Sequence, residues 1–148
     1  MNVVGSWSDS DFEKHCKSIV ERNEIPVTFH SSKSGYDKLQ ILADADIFVF
    51  PPKTPEGHPW VIVEAMAAGL PIISTDQGAI AESVQNGING FIVEPGNPEE
   101  IANKISLLIS HPEIRLAMGR ESRMVYEANF TEEKMVERLS NVFNKILK

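Results

Sequence analysis

Residues 47–75 read IFVF-PPKTPEGHP-WVIVEAMAAGL-PIIST, and this stretch decides the fold. Two apolar runs of strand type enclose a loop and an apolar segment of helical length. The loop, residues 51–59, holds four prolines in nine positions. Each proline fixes its own φ at about −65°, so the loop is expected to keep one shape. A strand that passes through such a loop into a helix is typical of open parallel sheets, whose ligands bind beyond the carboxyl ends of the strands. We therefore expect the active site here.

The segment after the loop is predicted to be a helix over residues 59–68. Pro59 suits the first helical position, where its missing N–H is no loss. Gly69 is expected to end the helix, and Pro71 prevents it from resuming. Free amides at the helix start, together with the positive end of the helix dipole, would form a site for an anion such as phosphate. These amides belong to Gly57, His58, Trp60 and Val61.

Two glutamates flank the helix start with seven residues between them, Glu56 in the loop and Glu64 in the helix. At about 1.5 Å rise per residue, Glu64 lies roughly 7 Å deeper along the axis, which separates the carboxylates more than the roughly 5 Å of a retaining glycosidase pair. A carboxylate accepts two hydroxyl hydrogen bonds, and sugars and riboses offer adjacent hydroxyls. A sugar nucleotide fits, with its sugar at Glu56 and its ribose at Glu64. The alternative is that both glutamates are ordinary solvated residues.

The run from Pro55 to Thr75 resembles the Glu-x7-Glu signature of retaining, nucleotide-sugar-dependent glycosyltransferases of the glycogen synthase and sucrose synthase type. The resemblance continues through residues 42–51, 78–82 and 86–93, so it covers nearly the whole chain. It implies the GT-B fold, in which two Rossmann-like domains face each other across a cleft. This chain is similar to the second, donor-binding domain, without that domain's first strand–helix unit.

The resemblance also implies roles for individual residues. Glu56 would be the catalytic residue that holds the donor sugar, and Glu64 would bind the ribose. The chain has His58-Pro59 where the commoner family form has Phe-Gly, and because proline lacks an N–H it is open which amides hold the diphosphate. The donor-binding residues implied are Glu56, Gly57, His58, Pro59, Trp60, Val61 and Glu64.

A polar turn after the second predicted strand would lie, by analogy with the family, near the nucleobase. Its candidate residues are His30 and Ser31. The alternative is an ordinary solvated turn, because loops at a sheet edge are commonly exposed.

Bulk properties fit one α/β domain over residues 1–148, a Rossmann-like parallel sheet with helices on both faces. A net charge of −7 without a Lys/Arg cluster argues against nucleic acid as a partner. The single Cys16 cannot form an internal disulfide, which favours a reducing compartment. Neither a signal peptide nor a transmembrane segment is predicted. We expect a cytoplasmic protein, which in the whole enzyme could lie at the inner face of the membrane.

Strands and helices alternate along the chain, as in right-handed βαβ units. In the last helix, an apolar stripe is predicted to pack, and the alternative is a partner-binding face; the stripe consists of Met135, Leu139, Val142, Phe143 and Ile146. In the family that the chain resembles, the last helix crosses back to the first domain, which would leave the apolar side of this helix underused here. Strands are predicted over residues 3–5, 26–29, 47–50, 72–75 and 91–93. Helices are predicted from a cap at Asp9 or Ser8 to about residue 23, over 36–45, 59–68 and 80–85, after the capping residues Asn97 and Thr131, and after Pro112.

The leading hypothesis is the donor-binding domain of a retaining glycosyltransferase that moves a sugar from a UDP-, GDP- or ADP-sugar to an acceptor hydroxyl. No cofactor or metal is expected, since amides and basic groups would stabilise the leaving diphosphate. The family's first strand–helix unit supplies an Arg and a Lys, and losing two bonds of about 1.5–3 kcal/mol each would weaken donor binding roughly a hundredfold or more.

Two alternatives come from other classes of protein. One is a non-catalytic nucleotide-sugar binding module, or one subunit of a split transferase whose partner brings the missing acceptor-binding domain. The other is a folded remnant that binds no ligand. The sequence does not choose among these hypotheses.

Overall fold

The structure is a computed structural model that describes residues 1–147, and it divides into two compact units at residue 41. The first unit contains β1 (Asn2–Val4), α1 (Ser10–Arg22) and β2 (Thr28–His30). β1 and β2 pair in parallel. The second strand begins later than predicted because Pro26 has no N–H for the sheet, and its carbonyl accepts a hydrogen bond from the amino terminus of Met1 instead.

Helix α2 (Gly35–Ala43) leads into the second unit, which carries a sheet of three parallel strands in the order β3–β4–β5. The strands are β3 (Phe48–Phe50), β4 (Ile72–Thr75) and β5 (Gly90–Val93). The predicted α/β class with parallel strands is confirmed, although the strands form two hydrogen-bonded sheets instead of one.

The central strand β4 is buried along its whole length, as expected of a parallel strand covered on both faces. Because side chains alternate along a strand, Ile72 and Ile73 point to opposite faces. Ile72 packs with α3 (Trp60–Ala67) in one hydrophobic cluster, whereas Ile73 packs with Leu108 and Met118 in a second cluster. Helices therefore cover both faces of the second unit's sheet.

Three long helices follow the sheet: α4 (Pro98–Ser110), α5 (Pro112–Asn129) and α6 (Glu132–Ile146). Asn97 and Thr131 cap α4 and α6 through their side chains, as the sequence predicts. The apolar stripe of α6 is at least half exposed instead of packed, so that prediction is wrong for the part of the chain described. No helix within residues 1–147 is both long enough and apolar enough to span a bilayer.

Candidate functional site

The start of α3 is shaped by Pro59, which remains outside the helix. With φ −64° and ψ 118°, Pro59 occupies the N-cap position, so α3 begins at Trp60, one residue later than predicted. Its carbonyl already accepts a hydrogen bond from the amide of Ile62, at 3.0 Å. At the other end α3 stops at Ala67, and Gly69 adopts φ +72°, the left-handed conformation that ends helices, as predicted.

Two buried hydroxyl groups of β4 hold the entry to the proline-rich loop. Ser74 Oγ donates to the carbonyl of Phe50 at 2.6 Å, and Thr75 Oγ1 donates to the carbonyl of Pro52 at 2.7 Å. Both side chains are fully buried, and these bonds satisfy hydroxyls that would otherwise be costly to bury. The loop is therefore attached to the central strand of the sheet.

The loop is also held from the far side by the segment that follows β4. Gly78 adopts φ +68°, and a Cβ placed on it would lie 1.6 Å from the backbone oxygen of Glu56. One residue on, the amide of Ala79 donates to the carbonyl of Gly57 at 3.1 Å. Only glycine allows this approach of two backbones. The backbone at Glu56 and Gly57 is thus positioned by main-chain contacts.

The ring of His58 contacts protein on two sides. Its Nε2 is hydrogen-bonded to Ser83 Oγ, and its ring stacks on Phe130 with centroids 5.2 Å apart. Ser83 and Phe130 were not found from the sequence. No local pattern indicates such contacts, since Phe130 lies at the end of α5, far along the chain.

The two glutamates occupy different environments. Glu56 is exposed in the loop, whereas Glu64 lies in α3 and is half-buried, with its Oε2 atom shielded from solvent. Trp60, the first residue of α3, is 73% exposed. Val61 follows it and is half-buried. All the donor-binding residues predicted from the sequence therefore lie in the loop or in α3, around one helix start.

The predicted nucleobase residues belong to the first unit. His30 is the last residue of β2, not part of the turn as predicted, because its carbonyl accepts the amide of Gly5 and so continues the strand pairing. Its Nε2 lies 2.9 Å from Asn2 Oδ1. Ser31 follows and is exposed. Their role at a nucleobase stays a prediction.

Two cavities are present in the second unit. One, of about 280 Å³, lies where β3 and β4 begin and is lined by Asp46, Pro71 and three arginines of α5; it is thus at the opposite end of the strands from the loop. The other, of about 250 Å³, is lined by His58, Glu82 and Arg138 among others. Glu56 and Glu64 line neither of these two cavities, whereas His58, another predicted donor-binding residue, lines the second.

Among residues 1–147, no three His, Cys, Asp or Glu side chains are grouped so that they could hold a metal ion.

The sequence is similar to a bacterial spore coat protein and to a bacterial glycosyltransferase. Spore coat protein SA of Bacillus subtilis (strain 168) is 33% identical over 137 residues, which is 92% of this chain and 36% of that protein. The capsular polysaccharide biosynthesis glycosyltransferase CapM of Staphylococcus aureus is 35% identical over 112 residues, 76% of this chain and 29% of CapM. The chain thus spans about a third of the length of these relatives.

The fold is shared with solved glycosyltransferase structures. Anabaena HepE in complex with UDP matches 97% of this chain and 40% of its own, with a TM-score of 0.86 at 24% identity. A glycosyltransferase from Rickettsia africae ESF-5 matches 99% of this chain and 40% of its own, with a TM-score of 0.85 at 25% identity. The family model described as "Glycosyl transferases group 1" matches residues 1–125. The chain therefore belongs to the glycosyl transferases group 1 family.

Proposed function

We propose that this chain forms the donor-binding part of a retaining glycosyltransferase, which transfers a sugar from a nucleoside diphosphate to an acceptor hydroxyl. The observation that carries the proposal is the backbone contact of Gly78 with Glu56, next to the start of α3, in a member of this family. That contact holds the backbone of Glu56, a residue with a carboxylate, a few residues before the N-terminus of α3. A donor offers sugar hydroxyls to the carboxylate and a diphosphate to the helix N-terminus.

Each group would have a defined part in the reaction. The α3 amides would hold the diphosphate and stabilise the charge it gains as it leaves, Glu56 would accept hydrogen bonds from the sugar, and Glu64 would accept them from the ribose. Pro59 supplies no amide, so the proposal uses Gly57 and His58 before it and Trp60 and Val61 after it. Catalysis would then depend on positioning and electrostatic stabilisation, with no protein nucleophile assigned.

The proposed donor is a nucleoside diphosphate sugar whose base is left open, because related proteins are described with different nucleotides. HepE has been solved with UDP and with UDP-glucose. A relative from Corynebacterium glutamicum, 35% identical over 146 residues, is named a GDP-mannose-dependent mannosyltransferase. The acceptor would be bound by a second domain or by a partner subunit.

Backbone amide NMR tests donor binding directly. We expect UDP, GDP or ADP, or one of their sugar conjugates, to shift the amides of Gly57, His58 and Trp60 in the wild-type chain. Replacing Glu64 by Gln keeps its shape but removes its charge, and losing charged hydrogen bonds worth about 1.5–3 kcal/mol should weaken binding at least tenfold.

A matched variant controls for a general effect of lost charge. Glu99→Ala removes an exposed acid from the first turn of α4 and should leave the affinity unchanged. No shifts at millimolar ligand, in a well-dispersed spectrum, would contradict the proposal. Equal weakening by Glu99→Ala would contradict the role of Glu64.

A further inference from the structure

The two partners of the His58 ring are themselves fixed. Ser83 is 1% exposed, and its carbonyl accepts a hydrogen bond from Asn89 Nδ2 at 2.9 Å. Phe130 caps the C-terminal end of α5, where its amide donates to the carbonyl of Tyr126 at 2.8 Å. The ring of His58 thus connects the loop to two well-anchored parts of the second unit.

These contacts lie next to the loop's other anchors. The carbonyl of Gly57 accepts the amide of Ala79, so residues 57 and 58 are held in succession, first by the main chain and then by a side chain. Pro59 follows with a fixed φ. A shift of the His58 ring would therefore move the amides of Gly57 and His58, because little freedom remains between them to absorb it.

We propose that His58 is a positioning residue, whose ring, held by Ser83 and Phe130, sets the diphosphate-binding amides of Gly57 and His58. The inference rests on the nucleotide binding proposed above and deepens it. The ring of His58 then contacts the protein, whereas the sequence interpretation counted that residue among the donor-binding residues without separating its ring from its backbone. The backbone of His58 still serves the ligand.

Two variants remove the hydrogen bond between His58 and Ser83, one from each side. His58→Phe keeps an aromatic ring to stack on Phe130 but cannot bond Ser83, whereas Ser83→Ala removes the same bond from the other side. We expect each to weaken binding of the nucleotide that the wild type prefers by about five- to tenfold, the usual effect of one hydrogen bond. Because one interaction is lost in each case, the double variant should be no weaker than either single variant.

The free protein supplies a second measurement. Both variants should shift the amide signals of Gly57 and Trp60 in the same direction before ligand is added. Ser106→Ala, an exposed serine of α4, should change neither the signals nor the affinity. Thermal melting identifies any variant that fails to fold, and Ser83→Ala, which loses only one hydroxyl, keeps the test possible if His58→Phe unfolds.

The outcomes distinguish the positioning role of His58 from the nucleotide binding on which it rests. If His58 contacted the ligand directly, His58→Phe would weaken binding while Ser83→Ala would not, and that result would overturn the positioning role. If the losses of binding free energy in the two single variants added up in the double variant, that result would also overturn the positioning role. A folded wild type that binds no nucleotide would overturn both proposals.

Discussion

Asn89 is fully buried, and both its side chain and its backbone form hydrogen bonds around the turn before β5. Its Nδ2 donates to the carbonyl of Ser83 at 2.9 Å, and its Oδ1 accepts the amide of Gln85 at 2.7 Å. Its backbone oxygen accepts from Ser122 Oγ and from the amide of Ile72. One side chain thus satisfies the polar groups of an irregular turn that β4 and α5 enclose.

Asn89→Ala would leave the carbonyl of the buried Ser83 and the amide of the exposed Gln85 without these partners. We expect the free energy of unfolding to fall by about 1–3 kcal/mol, the cost of a buried polar group without a partner. Urea denaturation measures the change. Asn103→Ala, at an exposed position of α4, should lie within about 0.5 kcal/mol of the wild type. Equal effects of the two variants would show that burial of Asn89 is unimportant.

Gly78 and Gly87 form a natural pair for testing the loop. Both have positive φ, +68° and +82°, but a Cβ on Gly87 would meet nothing within 4 Å, whereas one on Gly78 would strike the backbone of Glu56. Gly87→Ala should cost only the backbone strain of about 1–2 kcal/mol. Gly78→Ala should cost clearly more and also abolish the nucleotide-induced amide shifts, as denaturation and NMR would show. Similar losses in both variants would mean that the Gly78 contact does not position the loop.

At the scale of elements, helix α1 depends on a capping carboxylate. Asp9 accepts hydrogen bonds from the amides of Phe12 and Asp11, and these bonds lower the pKa of its carboxyl below the ordinary value of 3.8. A lowered folded-state pKa means that the ionised form stabilises the fold. This stabilisation is complete above the ordinary pKa and is lost as the pH falls through the lowered pKa.

Acid titration of α1 tests whether the ionised carboxyl of Asp9 stabilises the helix. The amide signal of Phe12, followed by NMR, should move with a midpoint below 3.8 as the cap is lost. In Asp9→Asn the movement should disappear, because asparagine caps a helix without titrating. An unchanged acid transition in the Asn variant would assign it to another carboxyl group.

The sequence predicted most elements because their signals are local. Caps such as Asp9 and Asn97 need only the next three residues, and Gly69 ends α3 by its own backbone conformation. The exception is the helix predicted over residues 80–85, which is a 3-10 turn from Ile80 to Glu82. A longer helix would require the Gln85 amide, but the side chain of Asn89 takes it. The amino-acid pattern of residues 80–85 cannot reveal this competition, because Asn89 lies outside that segment.

At the scale of the whole molecule, the two units differ in how much they bury. No residue before Leu42 is fully buried, whereas the second unit contains two clusters of buried apolar side chains. The sequence predicts the loop and the helix on which the proposed donor-binding residues lie. It does not show which distant side chains hold that loop, because contacts such as His58 with Phe130 depend on how the helices pack.

Hydrogen exchange should reveal the difference in burial. We expect the amides of β1 and β2 to exchange at least a hundredfold faster than those of β4, because local opening costs little where few apolar contacts are lost. Mass spectrometry of peptic fragments measures both regions in one sample. Equal protection of the two regions would mean that the first unit opens only with the second.

The anchoring of the loop by Gly78 and Thr75 also matters for engineering. The shape of residues 51–59 is fixed largely by groups outside them, on β4 and in the segment that follows it. Exposed side chains such as those of Lys53 and Thr54 could therefore be exchanged without rebuilding the backbone. Conversely, a loop grafted alone onto another scaffold would lose its geometry, and residues 74–79 would have to be transplanted with it.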